Sequence, residues 1–162
     1  MTSHTHRPPT IAEIDSVMSQ VLAFHRAFDL PRRHLPEVAI GVELADLRVR
    51  LLREEVEEFA DATQAGDIVA LADALADVVY VAYGSAISYG IDLDAAIAEV
   101  HRANMSKLDD AGRPVLRSDG KVMKSSRYTP PDVARILHEQ LPLFNTADLC
   151  AEEDALAVSH TN

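Results

Sequence analysis

Residues 67–90 read DIVALADALADVVYVAYGSAISYG, and this stretch decides the fold. Asp67 can cap the start of a helix and Gly90 can end it, so we expect one long helix between them. At 3.6 residues per turn, its apolar side chains cover well over half of the circumference. Such a helix needs burial on nearly every side, which predicts a bundle completed by a second copy of the chain. The alternative is a central helix of a compact monomer.

Glycines, prolines and capping residues divide the rest of the chain into an all-α protein. We expect residues 1–9 to be a flexible arm and residues 10–141 to form one domain of four to five helices, with a loop or small hairpin at 109–130. Residues 142–162 lack periodicity and are predicted to be a disordered tail. The expected helices are at about 10–28, 40–64, 67–89, 92–108 and 129–140.

Composition excludes several classes of function. A net charge of −11 leaves no basic face for a nucleic acid polymer. Charged residues interrupt every apolar stretch near the length of a membrane span, so no membrane partner is expected. The first residues lack the apolar segment of a signal peptide, and the single cysteine, Cys150, suits a reducing compartment. These features predict a cytoplasmic protein.

The second predicted helix carries glutamates among its leucines. Glu55 and Glu58 fall inside the apolar stripe, and Glu54 lies at its edge, whereas Glu57 points away from it. A solvated charge run would place its glutamates opposite the leucines. Burial of an unpaired carboxylate costs several kcal/mol, so these side chains should be paired or should bind a metal ion.

The third predicted helix supplies matching acids. Asp73 and Asp77 are four residues apart and share one edge of the helix, and residues 67–90 contain no lysine or arginine. Carboxylates that face one another without counter-ions repel unless a divalent cation lies between them. Oxygen ligands favour Mg²⁺, with Mn²⁺ as the alternative. In a second interpretation the site is structural and an arginine pairs with the aspartates, the candidates being Arg48, Arg50 and Arg53.

The fourth predicted helix ends in polar residues on its buried stripe. Asn104 and Lys107 follow Ile97 and Val100 by seven residues each, so they continue the same face. A lysine and an asparagine near two acidic helices suit a phosphate chain. An ion pair of Lys107 with Glu58 or Asp77 is the equally open alternative.

Together these segments resemble the all-α nucleoside triphosphate pyrophosphohydrolases, which include MazG-like enzymes, phosphoribosyl-ATP pyrophosphohydrolase and the dimeric dUTPases. The match is closest to a MazG-like subgroup often labelled Cof-like phosphohydrolase. The combination is specific, whereas each piece alone is not. The resembling segments are 24–26, 51–58, 73–84, 100–107 and 120–124.

The resemblance implies an Mg²⁺-dependent enzyme that converts a (d)NTP and water to a (d)NMP and pyrophosphate, with nucleotide-pool cleaning as its role. Glu55 is the expected catalytic base. The expected metal ligands are Glu54, Glu55, Glu58, Asp73 and Asp77. The expected substrate contacts are Asn104, Lys107, Lys121, Lys124, His25 and Phe28. The implied assembly is a homodimer or homotetramer.

One departure from the superfamily pattern keeps other functions open. The second acidic motif is usually Glu-x-x-Asp, but Ala74 stands three residues before Asp77, where Asp73 is a possible substitute. One alternative is a narrower hydrolase, of the phosphoribosyl-ATP or dUTP/dCTP type. The other is a catalytically silent helical module for oligomerisation or regulation, which the missing glutamate favours.

Overall fold

The computed structural model describes residues 16–144, and within this range it contains α-helices and no β-strand. The prediction of an all-α fold is confirmed. The flexible arm at 1–9, the start of the first predicted helix and most of the predicted tail lie outside the described residues. The helices are α1 (Val17–Ala27), α2 (Val42–Ala65), α3 (Ile68–Tyr89), α4 (Leu93–Met105) and α5 (Val133–Glu139).

Helices α2 and α3 form an antiparallel hairpin, which is the frame of the molecule. Gly66 ends α2 in the left-handed conformation, with φ of 68°. The Asp67 side chain then accepts hydrogen bonds from the backbone N–H groups of Val69 and Ala70 and so caps α3. A turn this short forces the two helices to pack side by side along their length.

The buried core lies where α1 crosses the second half of α3. Met18 and Val21 of α1 pack against Tyr83 and Ile87 of α3. The Tyr83 hydroxyl donates a hydrogen bond of 2.7 Å to Asp94 at the start of α4. Burial and this neighbouring carboxylate raise the pKa of Tyr83 to about 12, so the phenol stays protonated and keeps joining α3 to α4.

The loop between α1 and α2 lies across the end of α3. The backbone N–H of Glu37 donates to the carbonyl of Tyr89 over 2.9 Å. Gly90, with φ of 71°, lies directly below the loop, and a Cβ atom there would be 2.0 Å from the carbonyl oxygen of Leu35. Gly90 is therefore required by its backbone conformation and by the close approach of the loop.

The segment between α4 and α5 consists of turns. Two isolated antiparallel bridges pair Leu108 with Pro114 and Leu116 with Val122, and no continuous strand forms between residues 106 and 132. Gly112 and Gly120 both have positive φ and close the two turns.

Helix α5 is held to α4 by one buried carboxylate. Glu99 accepts two hydrogen bonds from Arg102, of 2.7 and 2.8 Å, and one of 2.7 Å from the backbone N–H of Asp132, the capping residue of α5. These donors lower the pKa of Glu99 to about 2. The charged carboxylate is thus the connection between the two helices.

The first half of α3 is exposed in the single chain, which differs from the burial expected on nearly all sides. Val69 is 76% exposed, and only 17% of the most apolar part of α3 is buried. By length and composition alone, α3 is also the one helix within residues 16–144 that could cross a membrane. Core helices of soluble proteins meet the same criterion, so this finding is weak evidence of a span.

Candidate active site

The structure brings four of the predicted carboxylates into electrostatic contact across α2 and α3. Glu55 is half-buried on the face of α2 that packs against α3. Burial raises the pKa of Glu55, and the negative charges of Asp77, Glu58 and Glu54 raise it further. Both causes disfavour the charged form, so a like-charge cluster is present around this residue. We call these four residues the carboxylate cluster.

The cluster has no counter-ion from the described part of the chain. No lysine or arginine of residues 16–144 forms an ion pair with any of its four members. Arg50 and Arg53 are exposed on α2, and Arg48 is buried away from any carboxylate. The interpretation in which an arginine pairs with the aspartates is therefore not what the structure shows.

The donor set suits a hard divalent cation, although it is not gathered around one point. Carboxylate oxygens without counter-ions are the ligands that Mg²⁺ and Mn²⁺ prefer. Within residues 16–144, however, no three acidic, histidine or cysteine side chains lie close enough together to hold a metal ion as they stand. Glu54, Glu58 and Asp77 are exposed, so rotation about their side-chain bonds is the movement that would bring them toward Glu55.

Asp73 does not take part in the electrostatic contact around Glu55. It lines a cleft of about 360 Å³ at the α2–α3 turn, together with Glu58 and Asp61. It is not among the charges that raise the pKa of Glu55. Asp61 was not predicted as a site residue, and the available signal was its position three residues after Glu58, on the same helical face.

Ala74 lies in the wall of this cleft. It is buried and lines the cleft beside Glu58. Its methyl group stands where the superfamily pattern usually has a glutamate. The cleft is therefore space beside Glu58 that a longer acidic side chain would occupy.

An exposed aromatic surface lies beside the cluster. The rings of Phe24 and Phe28 on α1 have centroids 4.4 Å apart, and the Phe24 ring meets Tyr80 of α3 edge to face at 5.7 Å. Phe28 is 64% exposed. Tyr80 comes three residues after Asp77, so the two side chains are neighbours on α3. Tyr80 was not predicted, although its spacing from Asp77 could have identified it.

His25 is an internal residue, not a surface one. It is 2% exposed, and its Nδ1–H donates to the carbonyl of Pro31 over 3.0 Å. Its Nε2 would lie 3.1 Å from a Cβ atom on Gly84 of α3. The imidazole therefore fills the space above the glycine and joins α1 to α3. The burial of His25 gives no support to its predicted contact with a nucleobase, which stays a prediction.

The predicted phosphate contacts are on other elements. Lys107 Nζ donates to Asn104 Oδ1 over 2.7 Å at the end of α4, and the alternative ion pair of Lys107 is not formed within the described residues. Lys121 is exposed, and Lys124 Nζ lies 4.3 Å from the centroid of the Tyr128 ring. No hydrogen bond or ion pair in residues 16–144 links these side chains to the carboxylate cluster.

A larger cleft, of about 490 Å³, lies elsewhere, between the start of α4 and the end of α5. Its charged lining residues are acidic, namely Asp92, Asp94 and Glu139. Asp92 is already used as the cap of α4. The chemistry of the carboxylate cluster therefore identifies the candidate site better than the size of this cleft does.

Comparisons with known proteins identify a relative and a family of this chain. An uncharacterized protein of Acanthamoeba polyphaga mimivirus is 27% identical over 134 residues, which are 80% of this chain and 51% of that protein. The chain thus spans about half the length of the curated relative it matches. The sequence model of the phosphoribosyl-ATP pyrophosphohydrolase family matches residues 21–104, more than half of the chain and including the whole cluster. The chain belongs to the phosphoribosyl-ATP pyrophosphohydrolase family, and this membership points to nucleotide pyrophosphohydrolase activity.

Proposed function

We propose that this protein is a cytoplasmic, Mg²⁺-dependent nucleoside triphosphate pyrophosphohydrolase, with Mn²⁺ as an alternative ion, that serves to clean the nucleotide pool. The reaction is (d)NTP plus water to (d)NMP plus pyrophosphate. The family supports the reaction class. The metal, the substrate range and the location are the parts that this proposal adds.

One observation carries the proposal: Glu55 is half-buried and has three carboxylates around it, and no lysine or arginine of residues 16–144 pairs with any of the four. A cluster of this kind destabilises a folded chain unless a cation or a bound proton neutralises part of its charge. A metal ion together with the phosphates of a nucleotide would give the cluster its missing partner. Glu54, Glu58 and Asp77 are the residues proposed to hold the metal with Glu55, and Asp73 is proposed as a further ligand.

The chemistry that the chain itself supplies is the transfer of a proton to Glu55. Burial raises the pKa of Glu55, and a carboxylate with a raised pKa is a stronger base than an exposed glutamate. Glu55 would accept a proton from water as the water oxygen forms a bond to phosphorus, and the bond from phosphorus to the pyrophosphate oxygen breaks. When bound, Mg²⁺ would neutralise negative charge on the phosphate chain.

The remaining contacts are assigned by chemistry. The exposed rings of Phe24, Phe28 and Tyr80 offer an apolar surface on which a nucleobase can stack. Lys107 and Asn104 are proposed to meet the phosphates, and Lys121 and Lys124 are proposed to approach them from the exposed segment after α4.

Two alternatives have support from particular observations. A narrower substrate, of the phosphoribosyl-ATP or dUTP/dCTP type, is favoured by the family that matches. A silent helical module is favoured by Ala74 and by the separation of the carboxylates within residues 16–144. Substrate range and turnover therefore decide among the three.

The deciding experiment is pyrophosphate release from the common NTPs and dNTPs and from phosphoribosyl-ATP, with and without Mg²⁺. We expect release that requires Mg²⁺ and that falls at least about 100-fold in Asp77→Asn, the scale of loss for a metal-site residue. Asp46→Asn removes one carboxylate from the exposed surface of α2 and is the matched control. An absence of release from every substrate would leave the silent module as the better explanation.

A further inference from the structure

Arg48 on α2 is a buried cation without a partner among residues 16–144. The residue is 8% exposed, and its Nε atom is enclosed by protein and meets no hydrogen-bond acceptor of those residues. Burial alone lowers the pKa of Arg48, because no carboxylate of residues 16–144 is near enough to raise it. A guanidinium is an obligatory donor and stays charged in proteins. Burial of this charge without an anion is unfavourable.

Arg48 and His25 meet at one point of α3. Arg48 Nη1 and His25 Nε2 would lie 3.6 and 3.1 Å from one Cβ atom placed on Gly84, so both reach the same point of α3. Positive charges on Arg48 and Arg32 both act on the His25 ring. Arg32 pairs with Asp29 at 3.5 Å, whereas Arg48 pairs with no residue between 16 and 144.

We propose that Arg48 anchors a binding site for an oxyanion and that the ligand is a phosphate group. The flat fork of a guanidinium matches two phosphate oxygens. Arg32 also acts on the same imidazole but is already paired with Asp29, so the guanidinium of Arg48 is the group that binds the ligand. The part of Arg48 that remains exposed is the edge at which the ligand binds, and Gly84 allows this close packing because it has no side chain.

This site is separate from the carboxylate cluster. Arg48 precedes Glu55 by seven residues, which places both on one face of α2 about 10 Å apart along the helix axis. Side chains on a helix tilt toward the N-terminus of the helix. The guanidinium of Arg48 therefore does not lie closer to Glu55 than the backbone of Arg48 does. The phosphate at Arg48 is therefore either a second phosphate on a nucleotide, remote from the chain that is cut, or inorganic phosphate.

The test measures thermal stability in EDTA, where no metal bridges a phosphate to the cluster and no hydrolysis is involved. Phosphate is added at low millimolar concentration with chloride at matched ionic strength. At a tenfold excess over its dissociation constant, phosphate should raise the melting temperature of wild type by about 4 °C. Arg48→Met should melt no lower than wild type without phosphate and should lose the response. Arg50→Met removes an exposed charge two residues away and should respond as wild type does.

Two further measurements test the proposal independently of Arg48→Met. If Arg48→Met does not fold, Arg48→Lys keeps the charge without the fork and should show a weaker response than wild type. In an amide NMR titration, phosphate should shift the signal of Gly84. If adenosine 3′,5′-bisphosphate raises the melting temperature more than adenosine 5′-monophosphate does, the ligand is the second phosphate of a nucleotide. If neither nucleotide raises it as much as inorganic phosphate does, the ligand is inorganic phosphate. An equal response of wild type and the Arg48 variants, or none in wild type, would overturn the site.

Discussion

At the residue scale, Glu55 shows how function and stability oppose each other at one side chain. Its carboxyl group has a raised pKa because it is partly buried among other carboxylates. The folded chain without metal therefore favours the protonated form of Glu55 more than the unfolded chain does. Stability from this group is present below the unfolded pKa of about 4.5 and is lost as the pH rises through the higher folded pKa.

The first prediction follows from the raised pKa of Glu55. Glu55→Gln removes the repelled charge, so in EDTA at neutral pH the variant should melt at the wild-type temperature or about 2 °C above it. The difference should vanish under acidic conditions, where Glu55 is protonated. Pyrophosphate release should be lost, and Mg²⁺ should raise the melting temperature of the variant less than that of wild type. A variant that melts several degrees lower in EDTA would mean that Glu55 has a stabilising partner.

The second prediction concerns the position where the superfamily pattern usually has a glutamate. Ala74→Glu adds a carboxylate beside Glu58 in the cleft at the α2–α3 turn. Without metal the added repulsion should lower the melting temperature, and Mg²⁺ should then raise it by more than in wild type.

The control for this variant is Ala72→Glu, which adds the same charge to an exposed position of α3 on the opposite side of the helix. It should respond to Mg²⁺ as wild type does. If Ala74→Glu gains no extra response, the cleft does not form part of a metal site.

At the element scale, the contact of α1 with α3 depends on Gly84. A Cβ atom there would lie 3.1 Å from Nε2 of His25, which has little freedom to move because it is buried and bonded to Pro31. Alanine gains about 1 kcal/mol in helix propensity over glycine, whereas overpacking a core costs about 1–3 kcal/mol. The third prediction is that Gly84→Ala destabilises the protein by about 1 kcal/mol.

A double-mutant cycle checks the cause. In the His25→Ala background the ring is gone, so Gly84→Ala should become stabilising through propensity alone. Chemical denaturation of the four proteins provides the free energies of unfolding. If Gly84→Ala has the same effect in both backgrounds, the contact with His25 does not constrain Gly84.

The attachment of α5 to α4 should depend on pH. Because the pKa of Glu99 is lowered to about 2, its contribution to stability is complete above about pH 4.5 and is lost as the pH falls toward 2. The fourth prediction is that amide protection in α5 decreases within this range before α2 and α3 unfold. Hydrogen exchange followed by NMR would measure it.

Glu99→Gln should loosen α5 at neutral pH, since an amide cannot accept as strongly from Arg102 and from the Asp132 N–H at once. Glu139→Gln is the control, because Glu139 forms an exposed pair with Arg135 on α5 itself. Equal loosening by both variants would contradict the role assigned to Glu99.

Sequence patterns located the elements well because helix ends are local. Asp67, Gly66 and Gly90 act through their own backbone and nearest neighbours, and the structure places the helix ends at them. The role of Glu99 depends on residues 33 positions away, and the burial of Arg48 depends on α1 and α3. Neither could be predicted from spacing along a single helix. The metal and substrate assignments stay predictions, because they depend on side-chain positions that a bound ligand would fix.

At the scale of the whole molecule, the single chain leaves an apolar surface of α3 exposed. Ile68, Val69, Leu75 and Val79 are all exposed, and exposed apolar residues that are contiguous on a helix mark an interaction surface. Two copies that pair through α3 would bury these side chains and provide the environment that the sequence of residues 67–90 predicts. Assembly through α3 stays a prediction.

The fifth prediction is that the protein, purified without detergent, forms a dimer or a larger assembly at micromolar concentration. Light scattering should give a mass of at least about twice the 17.7 kDa of one chain. Val69→Glu places a charge in the proposed contact and should shift the mass toward that of one chain. Val38→Glu introduces the same change in the exposed loop before α2 and should leave the assembly intact, because it lies off α3. A wild-type protein that remains a monomer would show that α3 is not covered by a second copy, and recovery only from membranes with detergent would show that lipid covers it instead.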